Sequence, residues 1–307
     1  MSMYNKRLSE LLEIATRIDI NNQSKIVIFS DCHRGDGSNA DNFARNEDLF
    51  YYALKCYYYY GYTYIEAGDG DELWENKRLS DIVSAHPNVF KLMSQFYKSN
   101  RLYMLFGNHD MAKRFKKNAT CVECYFENAE SGGDDEELDV VFYEALALRY
   151  NGSDRELLVI HGNQADLVNY DLWRLTRVMV RYLWRPFESL GFRDPTNASR
   201  NYKRRRSVER NLIEWVEENN IPLIAGHTHK PYFPKEDEAP YFNSGSCIGP
   251  RGITCIEINR GMVSLVKWSY EIRRDGSVYA AREVIGGPKP LACFFNAKEN
   301  ENLVPVP

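Results

Sequence analysis

Five short stretches of the chain concentrate oxygen and nitrogen donors: Asp31-Cys32-His33, Gly68-Asp69, Gly107-Asn108-His109-Asp110, His161-Gly162 and Gly226-His227-Thr228-His229. Of six histidines, five lie in these stretches and His86 is the exception. Asp and Asn offer hard oxygens and His a borderline nitrogen, a donor set suited to divalent Mn, Fe, Zn, Co or Mg. The pairs Asp31/His33 and His227/His229 are two residues apart, so in extended chain both members point to the same side and can reach one site. Neighbouring glycines allow sharp turns and close backbone approach. There are more donors than one catalytic ion requires, which points to two. A carboxylate shared by cations about 3.5–4 Å apart is the usual device of two-metal hydrolysis, and Asp69 is the candidate bridge. Turn-capping Asp and Asn with ordinary polar histidines would be the plain alternative. Five such clusters in one chain argue against it.

What must position these residues is legible beside them. Ile26–Phe29, Tyr62–Ile65, Leu102–Phe106, Leu157–Ile160 and Leu223–Ala225 are strand-length apolar runs, and each ends at one of the clusters. Continuous apolar runs of this length are expected of buried strands in a layered α/β protein, whose ligands gather at the carboxyl ends of strands. Helical patterns over Asn46 to Tyr60 and Arg78 to Ser99 fit crossovers packed on the sheet. Beyond residue 240 the texture changes to short alternating strands at Tyr241–Asn243, Ile253–Ile258, Val263–Ser269 and Val278–Val284, which predicts a second, more antiparallel sheet packed on the first. Residues 1–307 read as a single domain.

Two segments read as insertions. Glu127 to Asp139 is an acidic, Gly-containing tract, expected to be a solvated loop. Residues 167–210 read as an inserted helical cap: Leu175, Val178, Met179 and Tyr182 recur at helical spacing while Arg174, Arg177, Arg181 and Arg185 line an adjacent face. From Arg174 to Arg210 there are eleven Lys or Arg against three acids, in a chain of net charge -4. Guanidinium groups favour bidentate phosphate binding, so these four arginines are candidates for substrate contact. A solvated helix face is the alternative, and a basic amphipathic helix can also dock weakly on anionic lipid.

The clusters, in this order, resemble the calcineurin-like metallophosphoesterase superfamily, whose pattern is Asp-x-His, Gly-Asp-x-x, Gly-Asn-His-Asp or Glu, a lone His, and Gly-His-x-His. The resemblance implies a four-layer αββα sandwich of two mixed sheets flanked by helices, and a dinuclear centre with Mn foremost among the candidate metals. It implies that Asp31, His33, Asp69 and His229 hold one ion and Asp69, Asn108, His161 and His227 the other. His109 would donate a proton to the leaving oxygen or contact the phosphate, assisted by Asp110. A hydroxide bridging the metals would hydrolyse an anionic phosphodiester, pyrophosphate or phosphomonoester substrate.

Gly68-Asp69-Gly70-Asp71-Glu72-Leu73-Trp74 looks like the Gly-Asp-x-x-Glu-x-Trp pattern of UDP-2,3-diacylglucosamine pyrophosphatases, which also carry an arginine-rich helical insertion before Gly-His-Thr-His. Two positions depart from it: those enzymes commonly have Arg where this chain has His109, and Asp where it has Asn163. The branch implies a nucleotide-sugar or lipid-linked phosphate. The alternative is a Ser/Thr phosphoprotein phosphatase, although those enzymes carry Gly-Asp-x-Val-Asp-Arg-Gly with a phosphate-gripping Arg, and this chain has Leu73 and Trp74 in that neighbourhood. At 44% hydrophobic and 27% charged residues the chain is too apolar for disorder. Net charge -4 gives no reason to expect a stable nucleic-acid complex and leaves the oligomeric state open. No apolar run approaches the roughly 18–20 residues of a membrane span, and the N-terminus lacks a signal-type apolar core. Seven scattered cysteines, Cys121-x-x-Cys124 included, read as reduced thiols, and a cytoplasmic location is expected.

Overall fold

Side chains alternate between the two faces of each central strand, and the two faces feed different apolar layers. In β2 (Lys25–Phe29), Val27 and Phe29 join a cluster with Leu49, Phe50, Phe90 and Phe96, while Ile26 and Ile28 join one with Leu146, Leu148, Leu157 and Val159. β7 (Glu156–Ile160) likewise sends Leu157 and Val159 to the shared layer, and Leu158 and Ile160 to a third cluster with Leu8, Leu212 and Trp215. This period-two partition is what a strand buried on both faces requires. These features come from a computed structural model that describes residues 2–115, 122, 126, 140–152, 155–170, 172–180 and 202–295.

The remaining strands are β1 (Thr16–Ile20), β3 (Thr63–Ala67), β4 (Leu102–Leu105), β5 (Phe142–Tyr143), β6 (Ala145–Tyr150), β8 (Leu223–Ala225), β9 (Tyr241–Asn243), β10 (Ile253–Asn259), β11 (Met262–Ile272) and β12 (Val278–Pro290). One sheet runs β1-β6-β7-β8-β9 and the other β12-β11-β10-β2-β3-β4-β5, and both mix parallel and antiparallel pairs. Helices α1 (Met3–Ile14), α2 (Glu47–Tyr59), α3 (Leu79–Ala85) and α4 (Pro87–Lys98) precede three later ones: α5 (Leu167–Tyr170), α6 (Trp173–Met179) and α7 (Tyr202–Asn219). With α2 and α4 outside the seven-stranded sheet and α1 and α7 outside the other, the layers are αββα, as the family pattern implies. Among the described residues no helix is long and apolar enough to cross a membrane.

All five cluster-bearing runs are strands, but the partition between sheets differs from expectation. The late antiparallel strands do not form a separate sheet. β10 pairs with β2 and extends the sheet that carries β3 and β4, whereas β9 pairs in parallel with β8 in the other. Alternation along β10 to β12 reports pairing geometry and cannot report which sheet's edge the strands join. The pattern over Arg78 to Ser99 is two helices, because Pro87 lacks an amide hydrogen and drives His86 out of helical geometry, to ψ 51. The Glu127 to Asp139 tract and Cys121/Cys124 lie outside the described residues.

His86 itself is a structural pin. Its Nε2 lies 2.8 Å from buried Asp41 Oδ2 and its Nδ1 3.0 Å from Oε2 of half-buried Glu47. Burial works against the imidazolium, yet the Asp41 and Glu47 carboxylates hold its pKa above the usual value. A raised folded pKa contributes stability that is full below the unfolded pKa of about 6.5 and is lost as pH rises through the folded value. His86→Gln should therefore lower the urea midpoint more at pH 6 than at pH 9. An equal loss at both values would show that charge plays no part in the pin.

Candidate metal centre

The strand exits are held together in pairs by backbone hydrogen bonds, and this brings the five clusters to one place. Beyond β2, the amides of Asp31, His33 and Arg34 donate to the carbonyls of Gly68, Asp69 and Gly70 beyond β3, at 3.1, 2.9 and 3.0 Å. Gly226 beyond β8 donates to His161 at 2.8 Å. The two sheets are joined directly at the site, where Asp31 Oδ2 accepts the His227 amide at 2.9 Å. Gly107 lets the β4 exit pass close by: a Cβ there would sit 2.2 Å from Asp69 Oδ1 and 2.7 Å from His161 Cδ2.

Three overlapping donor groups result: Asp31, His33 and His229; His33, Asp69 and His109; and Asp69, His161 and His227. His229 Nε2 lies 3.0 Å from Asp31 Oδ1, and His33 Nε2 lies 3.2 Å from His229 Nε2. Asp69 Oδ2 stands between the halves, 3.8 Å from His33 Nε2 and 3.1 Å from His161 Nε2. Its Oδ1 accepts the His109 amide at 2.8 Å. Asp31, His33, Asp69, Asn108, His161 and His227 are buried, and His109 and His229 are partly open to solvent.

The chemistry of these residues fits divalent cations. Asp31 Oδ1, Asn108 Oδ1 and His161 Nε2 are buried polar atoms that make no hydrogen bond, and each such vacancy costs about 1–3 kcal/mol. His161 donates from Nδ1 to the Ala67 carbonyl at 2.9 Å, which leaves Nε2 as a bare lone pair among carboxylates. Asp31, His33, Asp69, His227 and His229 also adopt φ between 48° and 66°. Left-handed backbone costs a non-glycine residue on the order of 1–3 kcal/mol and collects where function over-determines geometry. Burial would raise the Asp31 carboxyl, but His229 and His161 outweigh it and hold it at about 2. Burial likewise disfavours charge on His161, but Asp69 and Asp31 push it up to about 9. Protons and metal ions thus compete for the same nitrogens.

His109 is oriented by Glu72. The Nδ1 atoms of His109 and His33 lie 2.8 Å from Glu72 Oε1 and Oε2, so one carboxylate spans both rings. Trp74 stacks on His109 with centroids 4.0 Å apart and planes 22° apart. The expected helper, Asp110, is engaged elsewhere: its carboxylate accepts the amides of Gly107 at 2.6 Å, Asp69 at 3.2 Å and Gly70 at 3.0 Å. It also accepts from Lys113 Nζ at 2.7 Å. Asp110 therefore splices the β3 and β4 exits, within a buried network in which Arg34 and Lys113 meet Glu66 and Asp71. From the sequence, Glu72 reads equally as an orienting acid and as a loop cap; it orients His109 from the β3 exit, while His109 itself lies on the β4 exit.

Of the four cap arginines, Arg177 lies over the Trp173 ring at 5.0 Å. Arg174 belongs to α6, and Arg181 and Arg185 lie outside the described residues. Trp173 packs in one cluster with Trp74, Phe106 and Met111, so α6 docks beside the wall behind His109.

The family model of calcineurin-like phosphoesterases matches residues 24–231, about two-thirds of the chain, and spans every donor cluster. Comparison with curated proteins gives no match. The chain belongs to the calcineurin-like phosphoesterase family and is a metal-dependent phosphoesterase.

Proposed function

We propose that Asp31, His33, Asp69 and His229 hold one divalent cation and Asp69, Asn108, His161 and His227 the other, with Mn foremost and Fe, Zn, Co or Mg compatible with the same donors. The observation that carries this reading is the position of Asp69, whose Oδ2 faces histidines on both sides. When bound, the cations supply Lewis acidity toward water and the phosphoryl oxygens. The protein supplies the proton for the leaving oxygen. With Nδ1 of His109 fixed on Glu72, Nε2 is the nitrogen left to donate it, and Trp74 holds the ring plane.

The substrate in this reading is a phosphodiester or pyrophosphate on a nucleotide-sugar or lipid-linked group. The Gly68 to Trp74 pattern supports it, as does the packing of α6 beside His109. Residues 167–210 act as the cap, with Arg174, Arg177, Arg181 and Arg185 contacting phosphate. Leu175, Val178 and Met179 are exposed on α6, which supports weak contact with an anionic membrane surface. Free, buried Cys32, Cys247 and Cys255 suit a reducing cytoplasmic setting. Retention of His109 favours phosphoprotein cleavage as the second reading. With Mn supplied, the protein should turn over bis-p-nitrophenyl phosphate and a UDP-sugar; faster release of phosphate from phosphopeptides than from either would replace the first reading with the second.

A further inference from the structure

His227 is steadied from outside the two sheets. Its Nε2 lies 3.2 Å from Asp166 Oδ2, so Nδ1 is the nitrogen without that contact in a ring that forms a donor group with Asp69 and His161. Asp166 is buried, and it receives Arg204 as a fork: Nε reaches Oδ2 at 2.9 Å and Nη2 reaches Oδ1 at 2.5 Å. Asn169 Nδ2 adds a contact to Oδ2 at 3.0 Å. A carboxylate held this way is a fixed acceptor. It sets the ring angle of the histidine and makes its opposite nitrogen a better donor to a cation.

Arg204 comes from the first turn of α7, on its inward face. Arg204, Val208, Asn211, Leu212 and Trp215 recur at helical spacing, and Val208, Leu212 and Trp215 are buried against the five-stranded sheet. Two further contacts tie the same helix to the same loops: Asn211 Nδ2 donates to the Ala165 carbonyl at 3.2 Å, and Thr228 Oγ1 to Glu209 at 3.3 Å. The packing of α7 therefore fixes Arg204, Arg204 fixes Asp166, and Asp166 fixes His227. Among the described residues, Asp166 is the acid within ion-pair distance of the His227 ring, at 3.2 Å. Asp166 is also held far below the usual carboxylate range, because His227 and Arg204 outweigh its burial.

We propose that Asp166 and Arg204 are positioning residues of the metal centre, and that the helix closing the basic insertion thereby sets the affinity for the ion held by His227. This rests on the two-cation reading above, and the basic Lys203 to Arg206 run is thereby split in function: Arg204 points inward to the site while Lys203 and Arg206 are exposed or nearly so.

The test is titration of the full-length, metal-free protein with Mn²⁺ by calorimetry, with bound metal counted by elemental analysis, for wild type, Asp166→Asn, Arg204→Met and Arg204→Lys. Asp166→Asn should weaken one of two binding events by roughly 10–100-fold and spare the other. Arg204→Met should weaken the same event by less, and Arg204→Lys, which keeps the charge but loses the fork, should fall between it and wild type. With Co²⁺ in place of Mn²⁺, the visible absorption of that one ion should shift in both Asp166→Asn and Arg204→Met. If Asp166→Asn does not fold, Arg204→Met decides the matter, since its side chain is 19% exposed. Two binding events of wild-type strength in the folded variants would reduce Asp166 and Arg204 to glue between helix and loop. Equal weakening of both events would also overturn the proposal, because the contact reaches only His227. A wild-type chain that takes up no Mn²⁺ would instead sink the two-cation reading on which it rests.

Discussion

Asp69→Asn should lower kcat/KM on bis-p-nitrophenyl phosphate by at least about a thousandfold and leave the purified protein depleted of metal. Asp69 is the carboxylate that faces both halves of the site, and its other oxygen fixes the His109 amide. An amide keeps the shape but removes the charge, and lacks a second oxygen for the cations. Charge stabilisation by such a centre is worth several kcal/mol; about 4 kcal/mol, at 1.36 kcal/mol per factor of ten, gives the expected loss. Elemental analysis beside the kinetics checks it, and wild-type metal content with a wild-type rate would remove Asp69 from the centre.

His109→Gln should cost roughly 100–10,000-fold in kcat while metal content holds, the range for loss of a positioned general acid. Burial pulls the His109 imidazole down, yet the Glu72 and Asp69 carboxylates outweigh it and push it up to about 10. Such a group is protonated, and able to donate, until pH rises through that value. Bound cations oppose it and bring the limb lower. Removing the Glu72 charge in Glu72→Gln must then move the alkaline limb of kcat/KM against pH further down, never up. A limb that stays in place would separate Glu72 from the proton donor. A His109→Gln variant that lost its metal would assign His109 a ligand's role instead.

Much of this site was legible because metal chemistry leaves short-range marks. Asp31/His33 and His227/His229 announce themselves by a two-residue spacing, and each apolar run beside them is a strand for the reason its composition suggests. The family pattern supplied the layers. Three features were not legible. The sheet membership of β9 and β10 depends on long-range pairing, which alternation does not encode. The resemblance implies that Asp110 assists His109, but its carboxylate turns to the Gly107 and Gly70 amides and to Lys113, and Glu72 reaches His109 from the neighbouring strand's exit. Asp166 carries no local mark at all, because its partners arrive from positions 204 and 227. The apolar periodicity over Arg78 to Ser99 runs across Pro87, yet the helix stops there, because proline overrides side-chain pattern through the backbone.

The division of donors between two sheets has a consequence during synthesis. Asp31, His33, Asp69 and Asn108 leave the ribosome first, just beyond β2, β3 and β4. His227 and His229 follow about 120 residues later, on the order of ten seconds at roughly ten residues per second. β10, which closes over the open edge of β2, comes later still. A nascent chain therefore exposes an oxygen-rich half-site well before the nitrogens that complete it, so the ion that first visits the growing chain need not be the one the finished pocket retains.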